Sequence, residues 1–196
     1  MLRNLDLSEY TDGKKYKSND MVRISCDDCK GCSECCKDMG NTIVIDPYDA
    51  GKLCIGLGKS FDSLFEEGFL ELNSVDGIVL PNIKMNPETN ACPFLNEEGR
   101  CSIHSFRPGF CRMFPLGRLY ENGDFSYIYQ IHECSYENKS KVKIKKWLDI
   151  PNLSDYENFV LEWHDFLNEM RQNIEEHPEK KNDIYIEVLK YYYNQA

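Results

Sequence analysis

Cys26-Asp27-Asp28-Cys29-Lys30-Gly31-Cys32-Ser33-Glu34-Cys35-Cys36 packs five cysteines into eleven residues and leaves no apolar periodicity for a helix or strand. Two intervening residues let neighbouring thiolates turn back around one ion or one face of a cluster, so a C-x2-C-x2-C run is a chelate by geometry. Such a run reads as a ligand loop, and the fold has to be arranged around it. Remote ligands must close the coordination, and Cys92-Pro93, Cys101, Cys111 and Cys134 are the available candidates. The adjacent pair Cys35-Cys36 is expected to point its sulfurs in different directions and to serve two centres, or two metals of one assembly.

Working outward, the preceding residues 1–20 are polar and are expected to form a loosely held N-terminal tail. After the cysteine run, Thr42–Ile45 reads as a short strand. Asp46-Pro47 then supplies a cap and a first-turn proline for a helix running to Leu57 and stopping at Gly58. Ser60 can start a second helix, through Leu70. From Leu72 to Leu119 repeated Gly and Pro leave room only for short strands. Phe125–Tyr129 is expected to pair back through the Glu121-Asn122-Gly123-Asp124 turn. The apolar positions Tyr156, Phe159, Val160, Trp163, Phe166, Leu167, Met170 and Ile174 recur at helical spacing, and a last helix from about Glu179 to Tyr193 packs on that one. The expected architecture is α+β: a loop-rich, metal-stapled single domain with short strands, a cysteine-cluster region over 21–136 and a helical C-terminal lobe over 137–196.

Composition bounds the function. A chain of 196 residues, 41% hydrophobic, can bury a core of its own. A net charge of −10 argues against nucleic acid or an anionic membrane as the main partner, since both need concentrated Lys and Arg. The first ten residues lack the apolar stretch of a secretory signal, and no later stretch approaches the roughly 18 apolar residues of a membrane span. A cytoplasmic location is therefore expected, where short regular cysteine spacing signifies metal ligands or redox groups rather than disulfides. No Gly-rich phosphate loop, G-x-S-x-G or H-E-x-x-H occurs, and the radical adenosylmethionine spacing fails because its third position is Met39.

Two blocks carry a family resemblance. The first is Cys29-Lys30-Gly31-Cys32-Ser33-Glu34-Cys35-Cys36. The second comprises Cys92-Pro93-Phe94-Leu95, Gly99-Arg100-Cys101-Ser102-Ile103, Arg107-Pro108-Gly109-Phe110-Cys111-Arg112 and Phe114-Pro115. Over roughly residues 26–134 the chain resembles the CxxCxxCC cysteine-cluster proteins, a family of zinc- or iron-chelating domains. The resemblance implies that Cys29, Cys32, Cys35, Cys36, Cys92, Cys101, Cys111 and Cys134 are the ligands. Cys26 is additional to the pattern and stands open as a further ligand, His104 replaces a common Tyr, and Cys134 lacks a following Pro-Gly. A related cluster occurs in the longer flagellin lysine N-methylases.

The spacing favours an iron–sulfur cluster, [4Fe-4S] by ferredoxin analogy, over zinc, whose structural sites more often use two tidy C-x2-C pairs. Three roles follow: a redox or binding module serving a protein partner; a metal- or cluster-dependent enzyme acting on a protein or peptide side chain; or a thiol redox or metal-delivery protein. Cys54, flanked by Leu53 and Ile55, is expected to be a buried apolar side chain. His104 and His132 are expected to be neutral hydrogen-bonding residues rather than ligands, and His164 and His177 ordinary surface or helix-end residues. Arg107, Arg112 and Arg118 can offset thiolate charge or hold an anion, but the commoner role is to satisfy loop carbonyls and acids. Trp163 and Tyr191-Tyr192-Tyr193 are expected to pack helices together.

Overall fold

A computed structural model describes residues 7–26 and 32–193. A single turn, α1 (Leu7–Tyr10), leads to β1 (Met21–Ser25); after the cysteine run come α2 (Pro47–Leu57), α3 (Phe61–Glu66), β2 (Leu70–Val75) and β3 (Ile78–Ile83). The second cysteine region follows and contains α4 (Gly109–Met113). The chain then forms β4 (Leu116–Glu121), β5 (Asp124–Tyr129), β6 (Ser140–Lys143), α5 (Ile144–Leu148), α6 (Leu153–Glu176) and α7 (Lys181–Tyr193). The class is mixed α+β with a C-terminal helical lobe, as its sequence indicates.

Among the described residues the strands pair as three separate antiparallel ribbons, β1–β6, β2–β3 and β4–β5. Two cores form between ribbons and helices. One gathers Leu53, Leu64, Ile78, Leu80 and Ile83 with Leu167, Met170, Val188 and Tyr192. The other gathers Val22, Ile24, Leu116, Tyr127, Ile144 and Leu148 with Tyr156 and Val160. Helix α6 belongs to both: its first turns enter the second core and its later turns the first. The cysteine region lies where these cores adjoin, with Cys111 against the first and Met113, two residues on, inside the second.

Local sequence rules act cleanly in several places. The Asp46 carboxylate accepts the Asp49 N–H at 2.8 Å, and Gly58 closes α2 in the left-handed region at φ 64°. Asn122 and Gly123 turn β4 into β5 with positive φ at both positions, as a two-residue hairpin loop requires. Tyr192 stacks on Phe61, meets Trp163 edge-on and donates to the Ile45 carbonyl at 2.9 Å, so α7 does pack on α6 and on the core. Tyr191 covers Phe166; the side chain of Tyr193 lies outside the described residues.

Elsewhere tertiary contacts prevail. Thr42–Ile45 is extended but joins only the margin of the β2–β3 ribbon, through Ile45 N–H to Pro81 O at 2.9 Å and Ile83 N–H to Ile43 O at 3.0 Å. Helix α3 ends at Glu66 rather than Leu70, because Gly68 takes φ 77° and Leu70 pairs with Ile83. The stretch expected to hold only short strands also contains α4. Of the expected tail, the described residues 7–20 are not loosely held: Tyr16 exchanges two 2.9 Å backbone hydrogen bonds with Tyr127, Ile131 N–H reaches Tyr10 O at 3.0 Å, and Thr11 is buried. The lobe expected to be helical opens instead with β6, which pairs with β1.

One close contact ties α2 to the cysteine region. Gly56 has no space for a side chain, since a Cβ there would stand 2.4 Å from the Phe106 ring. In an ordinary helix interior Gly→Ala is favourable by about 0.5–1 kcal/mol. Here Gly56→Ala should instead destabilise by roughly 1–3 kcal/mol through overpacking. A lowered urea midpoint would show it; an unchanged or raised midpoint would refute the contact.

Candidate metal centre

Three chain segments bring cysteines to one pocket. The first is the end of the cysteine run, where Glu34–Cys36 forms a 3-10 turn. It is tied to the second segment by Cys92 N–H to Cys36 O at 2.8 Å and Asp38 N–H to Asn90 O at 2.9 Å. The second is a tight loop in which Ser102 N–H donates to Phe94 O at 2.7 Å and Asn96 N–H to Arg100 O at 2.9 Å, folding Cys101 back towards Cys92. The third is α4, which carries Cys111.

Helix α4 is too short to be stable by itself. Its position is set by Asp49, in the first turn of α2, whose two carboxylate oxygens each accept the Gly109 N–H at 2.9 Å. Only glycine fits there, because a Cβ would lie 1.9 Å from the Tyr156 hydroxyl oxygen. Arg112 fastens the far side. Its guanidinium donates to the carbonyls of Ser105, Arg107, Leu148 and Asp149. The Trp147 indole, from α5, donates to Phe114 O at 3.0 Å and lines the same pocket.

Cys32, Cys35, Cys36, Cys92, Cys101 and Cys111 all line this pocket, which holds about 60 Å³, room for several water-sized particles. Cys35, Cys92, Cys101 and Cys111 are mutual neighbours: the charge of each opposes ionisation of the others. Burial pushes the Cys92 thiol up to about 11 and the Cys111 thiol well above its ordinary value. The Cys35 thiol is raised by a hydrogen bond to Cys36 and by burial, against the opposing pull of Arg107. In the absence of a cation these groups keep their protons. A coordinated metal reverses that preference, since a ligating thiol is deprotonated outright. The donors therefore fit a soft, thiophilic metal. Among the described residues no three His, Cys, Asp or Glu side chains already stand in ligating geometry around one point.

The 3-10 turn places both Cys35 and Cys36 at this one pocket. Cys134 is placed apart. It is buried, does not line the pocket, and has Cys26, Glu34 and Lys139 as its charged or titratable neighbours. Glu34, on the 3-10 turn, accepts the Ser135 N–H at 3.0 Å, so the two groups of cysteines flank that turn. Cys29 lies outside the described residues. Cys54 is buried in the first core, as its apolar flanks predict. His104 lines the pocket but accepts a hydrogen bond from Arg107 at Nε2, which occupies that nitrogen as a donor atom for metal. His132 is exposed and away from the pocket. His164 stacks on Tyr120, and His177 pairs with Glu179 at the surface.

The family model described as "putative zinc- or iron-chelating domain", CxxCxxCC, matches residues 28–138. The chain belongs to the CxxCxxCC family. That assignment covers both cysteine blocks, α2 to β5 and the loop bearing Cys134, and it makes zinc or iron chelation the chemistry of this domain. No curated protein and no solved structure matches the chain. No helix among the described residues is long and apolar enough to cross a membrane.

Asp49 and Trp147 escaped the sequence reading. Asp49 resembles any first-turn acid of a capped helix, and Trp147 any apolar residue of a short helix; nothing local marks either as a support of the site. Burial, reinforced by the Asp46 carboxylate, pushes the Asp49 carboxyl well above its ordinary range. The folded chain then keeps a proton that the unfolded chain releases. The stability this group contributes is complete below the ordinary value of about 4 and is lost as pH rises through the folded value. Asp49→Asn keeps an acceptor for Gly109 without this dependence, so its urea midpoint should gain on that of the unmodified protein as pH rises from about 4 to 7. Asp49→Ala orphans the Gly109 N–H and should cost about 1–3 kcal/mol relative to Asp49→Asn at each pH. A constant offset between Asp49→Asn and the unmodified protein would contradict the assignment.

Proposed function

We propose that Cys35, Cys92, Cys101 and Cys111 hold an iron–sulfur centre of the [4Fe-4S] type, and that the chain is a redox or binding module for a partner protein in a reducing compartment. The observation that carries this is the mutual proximity of four thiols from three separate segments, since four cysteines are the ligand set of such a cluster. Cys32 and Cys36 line the same pocket, giving it two thiols beyond the four that either a [4Fe-4S] cluster or a tetrahedral zinc uses. The cluster, when bound, supplies one-electron chemistry. The protein supplies a wall of Ile43, Ile83, Phe94, Ile103 and Phe114 that limits water around it.

Coordination by four cysteines leaves no open position for a substrate, which favours the module over the enzyme. Four clustered thiols also suit a zinc ion, and this is the second reading. Cys134, with Cys26 as its neighbour, lies outside this set of four.

Protein purified without oxygen should contain iron and acid-labile sulfide in near-equal amounts and be brown. Cys35→Ala and Cys111→Ala should each abolish the chromophore, and Cys54→Ala should retain it. Colourless protein with stoichiometric zinc would replace the cluster reading with the zinc one. Stripping the centre should cost several kcal/mol of stability, because the ligand loops have little regular structure of their own.

A further inference from the structure

The chain carries a net charge of −10, yet among the described residues Arg100, His104 and Arg107 line the cysteine pocket and no Asp or Glu does. The three arginines singled out by the sequence have different places. Arg112 is committed to loop carbonyls. Arg118 donates to the Tyr156 hydroxyl at 2.9 Å, its guanidinium lying over the Phe125 and Tyr156 rings. Arg107 faces Cys35 and Cys101.

Arg107 is held for this position. It precedes Pro108, which confines its backbone to an extended conformation, observed at φ −57° and ψ 150°. Its carbonyl accepts from Arg112 Nε at 3.2 Å, and its Nη1 donates to His104. What remains is a buried Nε–H with no acceptor among the described residues. An unsatisfied buried donor on a guanidinium is costly, and it is retained beside four thiols. A doubly positive zinc ion or cluster core held by four thiolates is net dianionic, and its sulfurs are acceptors.

We infer that Arg107 is the positioning residue of the metal centre, donating its Nε–H to a centre sulfur and offsetting part of the centre's negative charge, with His104 fixing the guanidinium. This rests on the metal reading above but not on which metal is native. Arg107 touches the ligands and not the metal, so its effect belongs to affinity and spectrum.

Cobalt(II) tests it, because thiolate-to-cobalt absorption reports both occupancy and sulfur donation for either native metal. The full-length protein and its R107Q, R107K and R23Q variants would be titrated with cobalt against a chromophoric chelator. R23Q removes a positive charge on β1 and serves as the control for net charge. R107Q should bind cobalt about 10- to 100-fold more weakly, the usual cost of losing a partner beyond the ligand shell, with a displaced charge-transfer band. R107K, which keeps the charge but not the rigid fork, should fall between, and R23Q should match the unmodified protein. Affinity within about 2-fold and an unmoved band in R107Q would overturn the inference while leaving the metal reading intact. Should R107Q fail to fold, R107K decides alone, and indistinguishable affinity and band overturn it. If the unmodified protein gives no thiolate–cobalt band, the metal reading falls and this inference with it.

Discussion

The paired hydrogen bonds from Gly109 N–H to the Asp49 carboxylate are the constraint around which the site is organised. They cross from the first turn of α2 to the first residue of α4, in a place too tight for any side chain at position 109. Arg107 lies two residues before this anchor and Cys111 two after it, so a single buried contact sets both a proposed ligand and the cation beside it. Tyr156, which blocks a Cβ at Gly109, comes from α6. Three elements distant in sequence thus meet at one peptide group, and the cysteine pocket takes its shape from their agreement.

The same region explains why the centre is assembled from loops. Regular elements here have their own cores to satisfy, and the pocket lies at the seam between the two. Short hydrogen-bonded turns, such as the one closing Phe94 to Ser102, provide local stiffness without a helix or sheet. Among the described residues the thiols are held near one another without three standing in ligating geometry, and a bound metal would supply the last increment of order.

Much of the fold is legible in the residues. Asp46-Pro47 and Gly58 bound α2, the Asn122-Gly123 turn sets the β4–β5 register, and the apolar spacing of α6 locates the helix that serves both cores. What could not be read is decided by distant partners. Helix α4 depends on Asp49, the segment from Thr11 to Tyr16 becomes ordered by lying along β5, and β1 acquires a partner only when β6 arrives from more than a hundred residues away. For the site, the family resemblance supplies eight cysteines without sorting them. The structure gathers six at one pocket and sets Cys134 with Cys26, a division that depends on how the 3-10 turn at Glu34–Cys36 is oriented. Arg107, Arg112 and Arg118 look equivalent as letters, and only burial and hydrogen bonding tell them apart.

The wide sequence separation of the pocket cysteines has a consequence for how the protein is made. Cys35 leaves the ribosome well before Cys111, and at roughly 5–20 residues per second the interval is on the order of several seconds. During that time the early thiols have neither their partners nor α4 to shelter them. A nascent chain therefore passes through a stage in which its early thiols stand without the later ones, and the pocket is complete only after synthesis has passed β4 and α6 has docked.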